Sequence, residues 1–219
     1  MRLRITHQRI TFALQLILIA EAAFAIWGQR WFTAFLTATI VGITFFPVLF
    51  QRRFRIHIPP EFQLAAIGFV FASLFLGEVR DYYTRFWWWD IALHTMSGFL
   101  LGILGFLLVH IMNETEKINV HMRPGFVAFF AFMFALGVGA LWEIFEFSMD
   151  IAFGMNMQKP MFGDPSGLTD TMCDLIVDAL GALVISILGW RYLKNPEQKS
   201  FLERWIEGFI ERNPRFFKQ

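Results

Sequence analysis

Three short runs in this sequence bring acids and one histidine into helical register. The first is Asp90-Ile-Ala-Leu-His94, an i,i+4 pair. The second is Glu143-Ile-Phe-Glu146 followed by Asp150, at i, i+3 and i+7. The third sets Asp170, Asp174 and Asp178 at i, i+4 and i+8. On an α-helix each set lies along one face. Carboxylates with one imidazole suit the holding of a cation. The cation is either a divalent metal that activates water, or protons shared between buried carboxylates. There is no Gly-x-Ser-x-Gly motif, which argues against acyl-enzyme chemistry.

The elements that must position these groups are apolar. Hydrophobic residues make up 56% of the 219-residue chain, charged residues 17%, and phenylalanine alone contributes 28 positions. Soluble domains carry roughly 45–50% and about 25%. That much apolar side chain exceeds what a water-soluble fold of this size buries, and it excludes disorder. A net charge of +1 with dispersed basic residues argues against nucleic acid. The lone Cys173 excludes a disulfide-stapled domain. A membrane-spanning helix needs about 20 mostly apolar residues. Six stretches qualify, at 10–27, 31–50, 62–77, 88–112, 125–153 and 169–190. Strand-like alternation is lacking, so a β-barrel is excluded. The expected fold is all-α and polytopic, with a six-helix domain over 1–192 and a tail over 193–219. In the tail, 200–211 places Phe201, Leu202, Trp205, Ile206, Phe209 and Ile210 on one face, as in a helix on a membrane surface or against its own bundle. Ala23-Phe24-Ala25 looks like a signal cleavage site, but Glu21 inside the first stretch favours a retained helix.

Lysine and arginine counts set the expected orientation. Fifteen fall on the side holding the first residues, the loops at 51–61 and 113–124 and the tail; Arg30, Arg80, Arg85 and Lys159 make four on the other. The positive-inside rule then places both ends on the cytoplasmic side of the membrane. Asp90 sits at the outer end of the fourth span, with His94 about 6 Å deeper. Glu143 lies about 27 Å along the fifth span from Gly125, again near the outer end. Asp178 lies about 12 Å below Asp170. Three helices thus carry their acids at one depth. Gly98-x-x-x-Gly102 suits close helix approach.

Salt bridging would need cations, and no Lys or Arg occurs in 86–116, 124–158 or 160–190. Facing the four outer cations are eleven acids. Three readings stand: a metal site, shared protons, or a solvated structural network. For the metal reading, His94, Glu143, Glu146 and Asp174 are the candidate ligands. Oxygen donors with one imidazole suit Mn, Zn, Fe or Mg. Asp90 is then the group that orients His94, and Asp170 or Asp178 the general base. Asp170 also suits a helix N-terminus, where the dipole favours an acid. Glu21 either lines the same cavity or snorkels outward.

These motifs carry a family likeness. Asp90-x-x-x-His94 with Ser97-Gly98, then Trp142-Glu143-x-x-Glu146-Phe147, then Gly167-x-x-Asp170-Thr171-x-x-Asp174-x-x-x-Asp178-x-x-Gly181-Ala182, resembles the YjdF-like group of bacterial inner-membrane proteins. More loosely it is similar to VanZ-like proteins, with Glu146 where that pattern has Gln and Asp178 where it has Asn. The likeness covers spans four to six. It implies a six-helix inner-membrane protein and no particular reaction.

Three functions are open on this reading. The first is a metal-dependent enzyme of the outer leaflet acting on a lipid or lipid-linked envelope precursor, since the acids lie at headgroup depth. The second is proton- or cation-coupled transport; it needs a route inward, and below Asp178 the sixth span has Ser186 as its one polar residue before Trp190. The third is a scaffold whose cation holds three helices together. Membrane lipid is the expected partner in each.

Overall fold

The computed structural model describes residues 2–55, 57–114, 122–194 and 208–214. Of the expected tail helix, 200–207 lie outside the described residues. The described chain is helical, with no strand and a single isolated bridge between Met161 and Asp164. It is an all-α polytopic membrane protein. Six helical stretches are long and apolar enough to cross a bilayer: Arg9–Trp27, Trp31–Arg53, Pro60–Val79, Trp89–Val109, Pro124–Phe153 and Leu168–Lys194. They form two compact units, one of residues 1–89 with 207–214, the other of 90–206 with 215–219.

The first unit contains α1 (Arg2–Trp27), α2 (Trp31–Thr44), α3 (Phe46–Phe54), α4 (Pro60–Val70) and the short α5 (Tyr82–Arg85). The second expected span is broken near its middle. Pro47 has no N–H for the carbonyl of Ile43, so the helix ends at Thr44 and restarts as α3 with proline in its first turn. The third span begins at Pro60, whose fixed φ suits a first helical turn. It runs past the expected end at 77, because α4 passes directly into a π-helix over Phe71–Val79. Leu18, Ile40 and Phe75 form the buried centre of this unit. Phe12, Phe32 and Phe35 are turned out and exposed, as lipid-facing side chains are. At the other end, the side chain of the buried Asn213 clamps His57. Its Oδ1 accepts from the His57 N–H at 2.6 Å and its Nδ2 donates to the His57 carbonyl at 2.8 Å.

The second unit contains α6 (Trp89–Glu114), α7 (Pro124–Phe153) and α8 (Leu168–Lys194). The buried stripe of α7 reads Val127, Ala131, Ala135, Gly139, Glu143 and Glu146. That of α8 reads Asp170, Asp174, Asp178, Gly181, Ala182, Ile185, Ser186 and Gly189. Each stripe repeats at the helical period, small or apolar toward one end and acidic toward the other. Small residues set how near the helices come. A Cβ on Gly98 would overlap the backbone of Asp178, and one on Gly181 would overlap the backbone of Thr95. Bulk at either position would drive α6 and α8 apart.

A buried carboxylate and histidine cluster

His94 stands at the centre of the acids. Its Nδ1 is 3.2 Å from Oδ2 of Asp178. Its Nε2 is 3.7 Å from Asp90 Oδ1, 3.7 Å from Glu143 Oε1 and 3.9 Å from Asp174 Oδ2. The three helices of the unit therefore meet on one imidazole. Asp178 also accepts from the Ser97 hydroxyl at 2.6 Å, and that hydroxyl lies 2.8 Å from the His94 carbonyl. A Cβ on Gly139 of α7 would occupy the place of the Asp178 carboxylate. Asp178 is thus held by α6, α7 and its own helix.

This geometry divides the two ring nitrogens. With Nδ1 on Asp178, Nε2 is the nitrogen that faces Asp90, Glu143 and Asp174. The residue expected to orient His94 was Asp90; on the Nδ1 side the structure has Asp178, and Asp90 lies with the groups around Nε2. His94, Glu143, Glu146, Asp170, Asp174 and Asp178 are all buried. Neither oxygen of Glu143 or Asp174 makes a hydrogen bond, and one oxygen each of Glu146 and Asp170 is also without one. Buried polar atoms are hydrogen-bonded as a rule, and orphaned carboxylate oxygens are costly. Ligand atoms of Asp90, His94 and Asp174 all lie within 4.8 Å of one another, a grouping able to hold a metal ion.

The remaining acids separate by what their oxygens touch. Glu146 is one turn from Glu143 and accepts from the Trp142 indole at 2.9 Å. Asp170 accepts the backbone N–H of Lys159 at 2.6 Å through one oxygen. Asp150, on the same sequence register as Glu143, is taken up by the loop after α7. It accepts the N–H groups of Met157 at 2.7 Å and Gln158 at 2.9 Å. Gln158 in turn donates to Thr171 of α8 at 2.7 Å. Asp164 caps the start of α8. It accepts from Ser166 N–H and hydroxyl at 2.9 and 2.7 Å, and from Thr169 N–H and hydroxyl at 3.0 and 2.7 Å. Those bonds, led by the Ser166 hydroxyl, hold its carboxyl well below the ordinary carboxylate range. Glu21 pairs with arginines of its own unit instead, Arg30 and Arg80. Sequence reasoning did not single out Gly139. The signal was a small residue one helical turn before Glu143 on the same face.

Residues 10–195 match the family described as predicted membrane protein, DUF2238. The chain belongs to that family. The match takes in all six spans and every acid of the cluster. A protein of Thermotoga maritima described as uncharacterized is 28% identical over 147 residues, which cover 67% of this chain and 71% of that protein. No solved structure matches the chain.

Proposed function

We propose that the cluster holds one divalent metal ion, and that this DUF2238 protein uses it for hydrolysis or group transfer on a lipid or lipid-linked envelope precursor at the outer face of the inner membrane. One observation carries the metal reading: the buried carboxylate oxygens of Glu143 and Asp174, which accept no hydrogen bond, converge with Asp90 on the second nitrogen of a histidine whose other nitrogen is already bonded. Metal-bound histidines usually carry such a carboxylate on the far nitrogen. The Nε2-to-oxygen separations of 3.7–3.9 Å are a few tenths wider than neighbouring ligands need. Four donors at 2.0–2.1 Å from zinc stand roughly 3.4 Å apart. Small side-chain rotations close that gap. Three carboxylates and an imidazole suit Mn, Zn or Fe(II) over calcium, with Mg as the harder alternative.

A metal so held would supply Lewis acidity and a bound water of lowered pKa. The chain itself supplies the rest. Asp178 holds His94 in one tautomer, and Ser97 holds Asp178. Asp170, with one oxygen on the Lys159 amide and the other free, stands as the proton acceptor for the attacking water. Glu146, fixed by Trp142, adds negative charge beside Glu143 and so favours a doubly charged ion. The lipid or envelope substrate follows from the expected depth of the acids at the outer headgroups. Membership of DUF2238 is compatible with the YjdF-like likeness and adds no reaction of its own.

The test is elemental analysis of the protein in mild detergent, wild type beside Glu143→Gln and Asp174→Asn. About one equivalent of Mn, Zn or Fe is expected in wild type and a loss in both variants. For weakly held Mg, the same comparison is made by metal-dependent thermal shift. No metal and no shift in folded wild type would overturn the metal reading and turn attention to proton flux. A loaded protein that turns over no phospholipid or polyprenyl-phosphate substrate in vesicles would overturn the enzymatic part alone.

A further inference from the structure

In the first unit, one buried carboxylate holds two arginines. Glu21 Oε1 accepts from Arg30 Nη2 at 3.3 Å, and Oε2 accepts from Arg80 Nη2 at 3.1 Å. The Glu21 side chain is 9% exposed, whereas those of Arg30 and Arg80 are 44% and 50% exposed. Arg30 lies between the first two spans and Arg80 directly after the third, so both stand at the same membrane interface. Each guanidinium packs on a ring of its own unit, Arg30 on Phe24 at 5.4 Å and Arg80 on Phe75 at 5.5 Å.

One arginine would neutralise Glu21. The second leaves the triad of Glu21, Arg30 and Arg80 itself with one positive charge at the edge of the apolar zone. Both carboxylate oxygens are used, yet each guanidinium spends one terminal nitrogen and keeps the rest of its N–H fork for another acceptor. Two such forks against one carboxylate favour an acceptor with several oxygens and negative charge. Phosphate is that group, and guanidinium binds it through paired charge-assisted bonds. Trp27 and Trp31, beside Arg30 in sequence, are strongly exposed, which places the pair at the level where tryptophan meets lipid headgroups. The nearby acids Glu78 and Asp81 are exposed to solvent and are not part of this triad.

We propose that Arg30 and Arg80, clamped by Glu21, form a binding site for a phosphate oxyanion, supplied by the headgroup of a membrane phospholipid. The site belongs to the first unit and stands independently of the metal reading. Its test is phosphatidylglycerol titrated into the full chain in a zwitterionic detergent, with bound lipid counted by native mass spectrometry. Diacylglycerol and inorganic phosphate are the parallel arms. Wild type is expected to bind phosphatidylglycerol and not diacylglycerol, and Arg30→Ala/Arg80→Ala to bind it at least about tenfold more weakly. Arg30→Lys/Arg80→Lys keeps the ion pairs to Glu21, loses the forks, and is expected to weaken binding about fivefold. Circular dichroism and melting temperature decide which variants are folded. Competition by millimolar inorganic phosphate would support the site with free phosphate as its source; no competition would support the lipid. Unchanged phosphatidylglycerol affinity in a folded variant, or equal binding of diacylglycerol, would overturn the proposal.

Discussion

His94 gains its meaning from its two nitrogens, which face different acids. Asp178 takes one and leaves the other for Asp90, Glu143 and Asp174. Replacing Asp178 by Asn keeps the shape but removes the charge that fixes the tautomer. Metal affinity is expected to fall about 10–100-fold, read by competition with a chelating dye. Ser97→Ala removes one bond to Asp178 and is expected to act in the same direction, less strongly. Equal affinity in wild type and Asp178→Asn would sink this account of His94. Much of the cluster was legible in the sequence, because the helical period alone put Glu143, Glu146, Asp174 and Asp178 on inward faces. The fate of Asp150 was not legible. It shares that period, yet its oxygens go to backbone N–H groups of a loop whose path no periodicity specifies. The side of His94 on which Asp90 lies was equally hidden, since ring orientation depends on what the facing helix presents.

At the scale of elements, close helix approach and the loop between α7 and α8 set the site. Gly139 gives its Cβ space to the Asp178 carboxylate. Gly139→Ala is expected to cost about 1–3 kcal/mol through overpacking. It should also displace Asp178, so that the metal-dependent part of the thermal shift shrinks with it. A variant that melts lower yet keeps its full metal response would separate packing from the site. The cap on α8 gives a pH prediction. Asp164 has its folded pKa lowered by Ser166 and Thr169, so its contribution is complete above the unfolded value near pH 4. It is lost as pH falls through that value toward the folded one. The gap in melting temperature between wild type and Asp164→Ala is therefore expected to be constant from pH 7 to about pH 5 and to narrow by about pH 3. A gap that does not change with pH would show that the cap acts through packing. Spans were legible from apolar length, but their internal breaks were only partly so. Pro47 announces the end of α2 by chemistry any sequence shows. The π-helix at Phe71–Val79 follows no residue pattern that announces it.

For the whole molecule, fifteen Lys and Arg on one side and four on the other argue for both ends of the six-span stretch in the cytoplasm. A fluorescent protein fused after Gln219 is expected to fluoresce, and alkaline phosphatase fused there to stay inactive; the reverse pair of results would invert the depth argument for the substrate. Membrane class, number of spans and the inward direction of most acids were determined by the sequence alone. They depend on total apolar content and on local periodicity, which need no knowledge of neighbours. Tertiary structure decided which acids share the imidazole, which are consumed by a loop, and that Glu21 belongs to two arginines. Those outcomes depend on distances between residues up to 84 positions apart, such as His94 and Asp178. Such distances are set by how closely helices pack, and a single chain pattern carries no record of them.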